Sequence, residues 1–206
     1  MTRFLPGILA MAAIVVASNI LVQILLGSFL TWGALTYPFA FLVTDVMNRI
    51  YGASAARKVV VSGFLVGIVC SLIGTQIMGE FGPLVTLRVA LGSGLAFLTA
   101  QMLDVTIFDR LRNQAWWKAP LISTIFGSIL DTVLFFSIAF STMFIFIDPA
   151  NDVAWANEGI PLLGLGPVAP LWISLALADW SVKFTLAVIA LLPFRAIVTK
   201  LSPKLA

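Results

Sequence analysis

Residues 36–52 read TYPFAFLVTDVMNRIYG, a run long enough to cross a membrane but interrupted by residues that a plain anchor lacks. Pro38 lies in its first half, and Asp45 and Arg49 lie near its end. A carboxylate inside hydrocarbon costs about 2.5 to 3.5 kcal/mol on insertion scales, so Asp45 needs a partner or a polar cavity. The simpler alternative is an ion pair between Asp45 and Arg49, one helical turn apart at the membrane edge. Asp45 is the first candidate functional residue.

The composition of the whole chain is typical of a polytopic membrane protein. Its 206 residues are 61% hydrophobic and 10% charged, with a mean hydropathy of +1.08. Soluble domains carry about a quarter charged residues. The length suits one membrane domain over residues 1–206, without a soluble catalytic domain. The chain has no His and one Cys, which disfavours zinc sites, haem ligation and disulfides, so we expect no cofactor and no bound metal.

Six apolar segments are each long enough, at about 18 residues or more, to cross a bilayer as a helix. They cover residues 4–27, 31–50, 57–79, 88–110, 119–147 and 168–194. The first could be read as a signal peptide, but its length and its polar residues favour a spanning helix. The long loop at 148–167 could cover an outer vestibule or serve as an inert connector. The sequence thus predicts an all-α bundle of six transmembrane helices.

The basic residues predict the orientation of this bundle. With the N-terminus inside, all but two of the 12 Lys and Arg residues fall at inner segment ends or inner loops. The two exceptions are Arg88, at the outer end of the fourth segment, and Lys183, inside the sixth. The positive-inside rule therefore predicts cytoplasmic N- and C-termini.

Polar and ionisable side chains recur inside the predicted helices. Their ionisable members, at ~3 kcal/mol each, would together cost on the order of 15 kcal/mol in contact with lipid, comparable to the stability of a whole domain. They must therefore converge on an interior. Asp179 and Lys183 are one turn apart and can pair on one helix face. The intramembrane polar set comprises Asn19, Gln23, Asp45, Asn48, Gln76, Gln101, Asp104, Asp131, Asp179 and Lys183.

A cavity lined by such groups suits a small, planar, polar ligand. Carboxylate oxygens accept the paired N–H donors of a guanine-like edge, amides bind a carbonyl, and a ring such as that of Tyr37 can stack on the ligand. Proton coupling through the buried carboxylates is a further option that the residues leave open.

Structural roles are the alternative for the same residues. Asp179 and Lys183 can act as a buried pair that locks the sixth helix in place. The amides of Asn19, Gln23 and Gln101 can bond between helices, for roughly 0.6 to 2 kcal/mol each. A purely structural protein would leave the buried charges explained only as packing pairs. An intramembrane aspartyl protease is disfavoured because the chain has no GxGD motif.

Four spaced motifs resemble the queuosine precursor transporter family, also called the vitamin uptake transporter family. They are TWGALTYPFAFLVTDVMNRIYG (31–52), LRVALGSGLAFLTAQMLDVTIFDRLR (87–112), STIFGSILDTVLFFSIAF (123–140) and DWSVKF (179–184). The resemblance runs from residue 18 to residue 194, and only the region 142–170 matches poorly. It implies a six-helix inner-membrane importer of deazaguanine precursors for tRNA modification, with a fold related to the substrate-binding subunits of energy-coupling-factor transporters.

The resemblance also implies a set of substrate-binding residues. The polar positions that match the family pattern are Asn19, Gln23, Asp45, Arg88, Gln101, Asp104, Asp131, Asp179 and Lys183, and we add Tyr37 as an aromatic neighbour. The implied substrate is 7-cyano- or 7-aminomethyl-7-deazaguanine. The rival reading is a binding subunit that needs a separate ATP-driven module. We expect the substrate and the lipid bilayer as partners and no nucleic acid; a homodimer is compatible with so small a transporter.

Overall fold

The computed structural model describes residues 4–80 and 82–202, and helices make up most of this part of the chain. The helices are α1 (Leu5–Leu21), α2 (Gly33–Thr36), α3 (Phe39–Tyr51), α4 (Ala53–Gln76), α5 (Leu87–Leu111), α6 (Lys118–Phe140) and α7 (Leu171–Leu201). Short antiparallel hairpins pair β1 (Leu25–Leu26) with β2 (Leu30–Thr31), β3 (Met78–Gly79) with β4 (Gly82–Pro83), and β5 (Gly159–Pro161) with β6 (Val168–Pro170). The all-α prediction missed these hairpins because strands of two or three residues are too short to show a periodic pattern.

Four of the helices are long and apolar enough to cross a membrane. They are α4, α5, α6 and α7, with 24, 25, 23 and 31 residues. At about 1.5 Å per residue, each exceeds the ~30 Å thickness of a bilayer's hydrocarbon core. The last four predicted segments are therefore present as helices of spanning length.

The first two predicted segments differ from the structure. The first was predicted to run to residue 27, but α1 ends at Leu21 and has 17 residues, or about 25 Å. The chain then forms the hairpin of β1 and β2, and Gly27, with a φ of +70°, lies in the turn between the two strands. The second segment is divided into α2 and α3, because Pro38 has no N–H with which to continue the helical ladder. Neither segment forms one continuous helix of spanning length.

The ends of the later helices also differ from the predicted bounds. The fifth segment was predicted to reach residue 147, but α6 ends at Phe140. Ser141 is extended there, and its hydroxyl accepts from the Met143 N–H to start a 3-10 helix over Thr142–Ile147. The last helix begins at Leu171, after Pro170, and continues beyond the predicted residue 194 to Leu201.

The helices pack around one interior that α5 and α6 dominate. These two helices form the most extensive helix pair, α4 packs between α1 and α5, and α3 contacts α4, α5 and α7. An apolar core that includes Met11, Val59 and Phe97 joins α1, α4 and α5. A second core, with Phe108 and Phe194, joins α5 to α7. Polar residues of α3 and α6, and of α6 and α7, contact one another inside the bundle.

Candidate functional site

Lys183 of α7 forms the centre of the first group of buried polar residues. Its ammonium donates to Asp131 Oδ2 at 2.6 Å and to Asp179 Oδ2 at 2.5 Å. It also donates to Thr132 Oγ1 at 3.0 Å, and the Thr132 hydroxyl donates in turn to Asp179 Oδ2 at 3.1 Å. Only 4% of Lys183 is exposed. We call Tyr37, Asp131, Thr132, Asp179 and Lys183 the lysine cluster.

Tyr37, which lies in the break between α2 and α3, contacts Asp131 and Lys183 of this cluster. Its hydroxyl donates to Asp131 Oδ1 at 2.9 Å. The Lys183 ammonium lies 5.4 Å from the centroid of the Tyr37 ring, within reach of a cation–π interaction. Both oxygens of Asp131 are thus bonded, one to the tyrosine and one to the lysine. The predicted pair of Asp179 and Lys183 is present, but the sequence did not identify Asp131 as the second partner.

The lysine cluster holds more negative than positive charge. Asp131 and Asp179 face one ammonium, so the cluster carries a formal charge of −1 when all three groups are ionised. Three hydrogen bonds from Lys183 offset part of the desolvation cost of these ions. Such an arrangement holds helices together and can also accept a donor from a ligand.

Asp45 of α3 belongs to a second group of buried residues, next to α6. Only 3% of Asp45 is exposed, and Ser123 and Thr124 donate to its two oxygens at 3.4 and 3.2 Å. Arg49 instead donates to the Arg112 carbonyl at 2.7 Å, and the ion pairs within residues 4–80 and 82–202 do not include Asp45. The alternative of an Asp45–Arg49 pair at the membrane edge is therefore wrong.

Two side chains of α5, Gln101 and Asp104, complete the second group. Both are fully buried. Thr44 donates to Gln101 Oε1 at 2.6 Å, whereas Gln101 Nε2 and both Asp104 oxygens have no hydrogen-bond partner in the described part of the chain. The polar side chains that face Asp104 are those of Asp45, Ser123 and Thr124. The carboxylate cluster comprises Thr44, Asp45, Gln101, Asp104, Ser123 and Thr124.

Gly127 of α6 allows the close approach on which the carboxylate cluster depends. A Cβ at this position would lie 2.8 Å from Phe41 Cε1, 3.2 Å from the Ala100 carbonyl and 3.3 Å from Asp104 Cβ. A side chain here would displace the Phe41 ring and widen the contact of α6 with α3 and α5, so glycine favours their close packing.

A small cavity adjoins Asp45 between α3, α6 and α7. Phe41, Asp45, Thr124 and Phe194 are among the residues that line it, and its volume is about 10 Å³. That space holds about one water molecule, so a bicyclic ligand needs a rearrangement of the surrounding side chains or helices to enter.

Three predicted site residues lie outside both clusters. Arg88 is fully buried, but its guanidinium donates to the carbonyls of Ile138, at 3.0 Å, and Ser141, at the C-terminal end of α6. This contact satisfies carbonyls that a helix end leaves without partners. Asn19 donates to the Val15 carbonyl of its own helix at 2.9 Å, and Gln23 is exposed beyond the end of α1. The other predicted residues are brought together in the two clusters: Tyr37, Asp45, Gln101, Asp104, Asp131, Asp179 and Lys183.

Sequence reasoning missed the hydroxyl groups that support the carboxylates. Thr124 and Asp131 are seven residues apart on α6, and such spacing places both on one helix face, so this signal could have been found. Ser and Thr in apolar helices also bond to carbonyls of their own helix, as Ser123 does to Pro120. That local alternative makes an isolated hydroxyl a weak signal.

Comparisons with known proteins agree with the motifs and cover both clusters. The sequence model of the family described as "Putative vitamin uptake transporter" matches residues 31–198. The queuosine precursor transporter of Escherichia coli (strain K12) is 34% identical over 194 residues, which are 87% of this chain and 79% of that protein.

Two further relatives carry the name "Probable queuosine precursor transporter". The protein of Haemophilus influenzae is 39% identical over 140 residues, 63% of this chain and 58% of that protein. The protein of Bacillus subtilis is 28% identical over 199 residues, 87% of this chain and 76% of that protein. No solved structure matches the chain. The protein is a multi-pass membrane protein and a transporter rather than an enzyme, and the chain belongs to the queuosine precursor transporter family, also called the vitamin uptake transporter family.

Proposed function

We propose that the protein imports queuosine precursors, 7-cyano- and/or 7-aminomethyl-7-deazaguanine, across the inner membrane to supply tRNA modification. The observation that carries the proposal is the excess of buried carboxylates inside the helix bundle. Asp45, Asp104 and Asp131 are buried and Asp179 is nearly so. The buried basic side chains of the described residues are Lys183, which pairs with Asp131 and Asp179, and Arg88, which bonds to carbonyls instead. The names of the relatives from E. coli, H. influenzae and B. subtilis agree with this class of substrate.

The charge imbalance favours a ligand rich in N–H donors. A carboxylate inside the bilayer costs about 2.5 to 3.5 kcal/mol on insertion scales unless a donor or cation compensates it. A deazaguanine offers adjacent N–H and NH2 donors on one edge, which a carboxylate accepts in a bidentate manner. The aminomethyl precursor adds a positive charge, which a further carboxylate can bind. Both precursors therefore suit the interior.

The two clusters lie at successive depths of the bundle. Thr124 of the carboxylate cluster and Asp131 of the lysine cluster are seven residues apart on α6, or about 10 Å along the helix axis. A solute crossing a core of ~30 Å would meet one cluster and then the other. The cavity at Asp45 holds only about 10 Å³, so such a solute does not fit beside Asp45 in this conformation. Pro38, at the break before α3, and Pro193, inside α7, are candidate flexible points for opening.

We further propose six membrane crossings: α1, the α2–α3 pair, α4, α5, α6 and α7. Basic side chains gather where α3, α5 and α7 end and α6 begins. Arg49 donates to the Arg112 carbonyl there, and the Arg195 guanidinium lies 4.7 Å from the centroid of the Trp116 ring. This end would face the cytoplasm under the positive-inside rule, which places both termini there.

Uptake by purified protein in liposomes tests the proposal. Radiolabelled 7-cyano- and 7-aminomethyl-7-deazaguanine are offered with and without an inward proton gradient. We expect uptake of at least one compound by the wild type. Asp45→Asn and Asp131→Asn should each lower uptake at least tenfold while leaving membrane insertion intact, a loss of about 1.4 kcal/mol or more.

Asp109→Asn is the matched control, because this carboxylate lies on α5 but is exposed and pairs with Arg112 at 3.5 Å. It should retain wild-type uptake. Tight binding without uptake would favour the binding subunit that needs a separate ATP-driven module. If the protein neither binds nor transports either compound, the proposal is wrong.

A further inference from the structure

Within the described part of the two clusters, the fully buried side-chain atoms that have no hydrogen-bond partner lie on one face of α5. They are both carboxylate oxygens of Asp104 and Nε2 of Gln101, and neither side chain is exposed. The Ser123 and Thr124 hydroxyls face Asp104 but donate to the neighbouring Asp45, at 3.4 and 3.2 Å. Asp131 and Asp179 are bonded by Lys183. A buried polar group without a partner is uncommon in folded proteins and calls for an explanation.

The three unpaired atoms form a row with a defined order. Residues 101 and 104 are neighbours on the helix surface, about 4.5 Å apart along the axis. The Thr44 hydroxyl donates to Gln101 Oε1 at 2.6 Å, a shorter contact than its 3.0 Å approach to the Ala40 carbonyl. This contact orients the Gln101 amide so that its NH2 group remains free. The row thus presents one donor followed by two acceptors.

Aromatic rings adjoin this row. Phe97 lies one turn before Gln101 on α5, and the Tyr37 ring meets Phe97 and Phe41 edge to face, at centroid distances of 6.1 and 6.5 Å. Phe41 also lines the cavity beside Asp45 and approaches Asp104 across Gly127. Displacement of the Phe41 ring would therefore join that cavity to Asp104 and leave room for a flat ligand against the aromatic faces.

We propose that Gln101 and Asp104 recognise the amide edge of the transported base, an inference that rests on the proposed function above. The Asp104 carboxylate accepts the ring N–H and the adjacent 2-amino group, and the Gln101 amide donates to the ring carbonyl. Asp104 is then the specificity-determining residue. The lysine cluster has a structural role in this arrangement, because it connects α6, α7 and the break between α2 and α3. A base that lacks the 2-amino group leaves one charged oxygen unpaired and binds more weakly.

Calorimetric binding to the purified full-length protein in nanodiscs tests this assignment. The two probes are 7-cyano-7-deazaguanine and its analogue without the 2-amino group, 7-cyano-7-deazahypoxanthine. The wild type should prefer the first probe by roughly 10- to 100-fold, as expected for one hydrogen bond to a charged group. In Asp104→Asn this preference should fall to about threefold or less, because the amide has only one acceptor and turns a donor towards the ligand's donors.

Gln101→Leu gives a different expected pattern. It should weaken the binding of both probes by a similar factor, roughly tenfold, because both carry the ring carbonyl. The ratio of the two Kd values should stay unchanged. Asp109→Asn, the exposed carboxylate of the same helix, should retain both affinities and the ratio. Size-exclusion chromatography establishes that each variant is folded. If Asp104→Asn does not fold, Asp104→Glu replaces it and should lower the ratio at least about threefold below the wild-type value, because the carboxylate moves by one CH2.

The possible failures are distinguishable. A wild-type ratio in Asp104→Asn, or in Asp104→Glu when that variant is used, would overturn the role of Asp104. A changed ratio in Gln101→Leu would overturn the role of Gln101. Failure of the proposed function has another signature, because the wild type itself would then bind and transport neither deazaguanine precursor.

Discussion

Replacing Lys183 with methionine tests what the buried ion pairs contribute to the fold. Methionine fills a similar volume, but Asp131 and Asp179 lose the ammonium that lies 2.6 and 2.5 Å from their oxygens. Only 4% of Lys183 is exposed, so water has little access to replace these contacts. Removing one partner of a buried ion pair costs about 3 to 5 kcal/mol, and we expect a loss of stability in this range.

Thermal unfolding of the purified protein in detergent measures this loss. For a chain of this size, 1 kcal/mol corresponds to roughly 2 to 4 °C, so Lys183→Met should lower the Tm by about 6 to 20 °C. Lys200→Met is the matched control, because Lys200 is exposed on the same helix. Its Tm should change by about 2 °C or less, as for most surface substitutions.

A compensated variant separates charge from packing. Combining Lys183→Met with Asp131→Asn and Asp179→Asn removes every ionised group from the lysine cluster. We expect this variant to regain most of the lost Tm, because the cost in the single variant comes from uncompensated buried charge. The reasoning is refuted if Lys183→Met is as stable as Lys200→Met, or if the compensated variant is no more stable than Lys183→Met alone.

Three further substitutions probe the surroundings of the clusters with the same thermal assay. Tyr37→Phe removes the hydrogen bond to Asp131 while keeping the ring, and should lower the free energy of unfolding by about 1 to 3 kcal/mol. An unchanged Tm would show that another donor takes its place. Gly127→Ala places a Cβ 2.8 Å from the Phe41 ring and should cost about 1 to 3 kcal/mol, so an unchanged Tm would contradict the close packing there. Arg88→Lys loses the guanidinium fork at the end of α6 and should cost about 1 to 3 kcal/mol with an unchanged substrate Kd. A weaker Kd in that variant would place Arg88 in the substrate site.

The membrane class and the positions of the last four spanning helices could be predicted because they depend on local properties. Hydropathy is a property of consecutive residues, and α4, α5, α6 and α7 overlap the segments that it defined. The break at Pro38 follows from the missing N–H of that residue, but hydropathy alone merged α2 and α3 into one segment. Apolar composition also extended the first predicted segment to residue 27, although α1 ends at Leu21 and residues 25–31 form a hairpin with Gly27 in its turn.

The sequence by itself identified the acidic residues and the lysine of the helix interior, but only the tertiary structure decided how they pair. Asp179 and Lys183 could be paired from their spacing on one helix. The contacts of Asp131 with Lys183 and Tyr37 span 52 and 94 residues of sequence, and no local pattern encodes them. They depend on the rotation and depth of neighbouring helices, which packing at positions such as Gly127 determines. For the same reason, the burial of Asp104 without a partner is visible only once the helices are packed together.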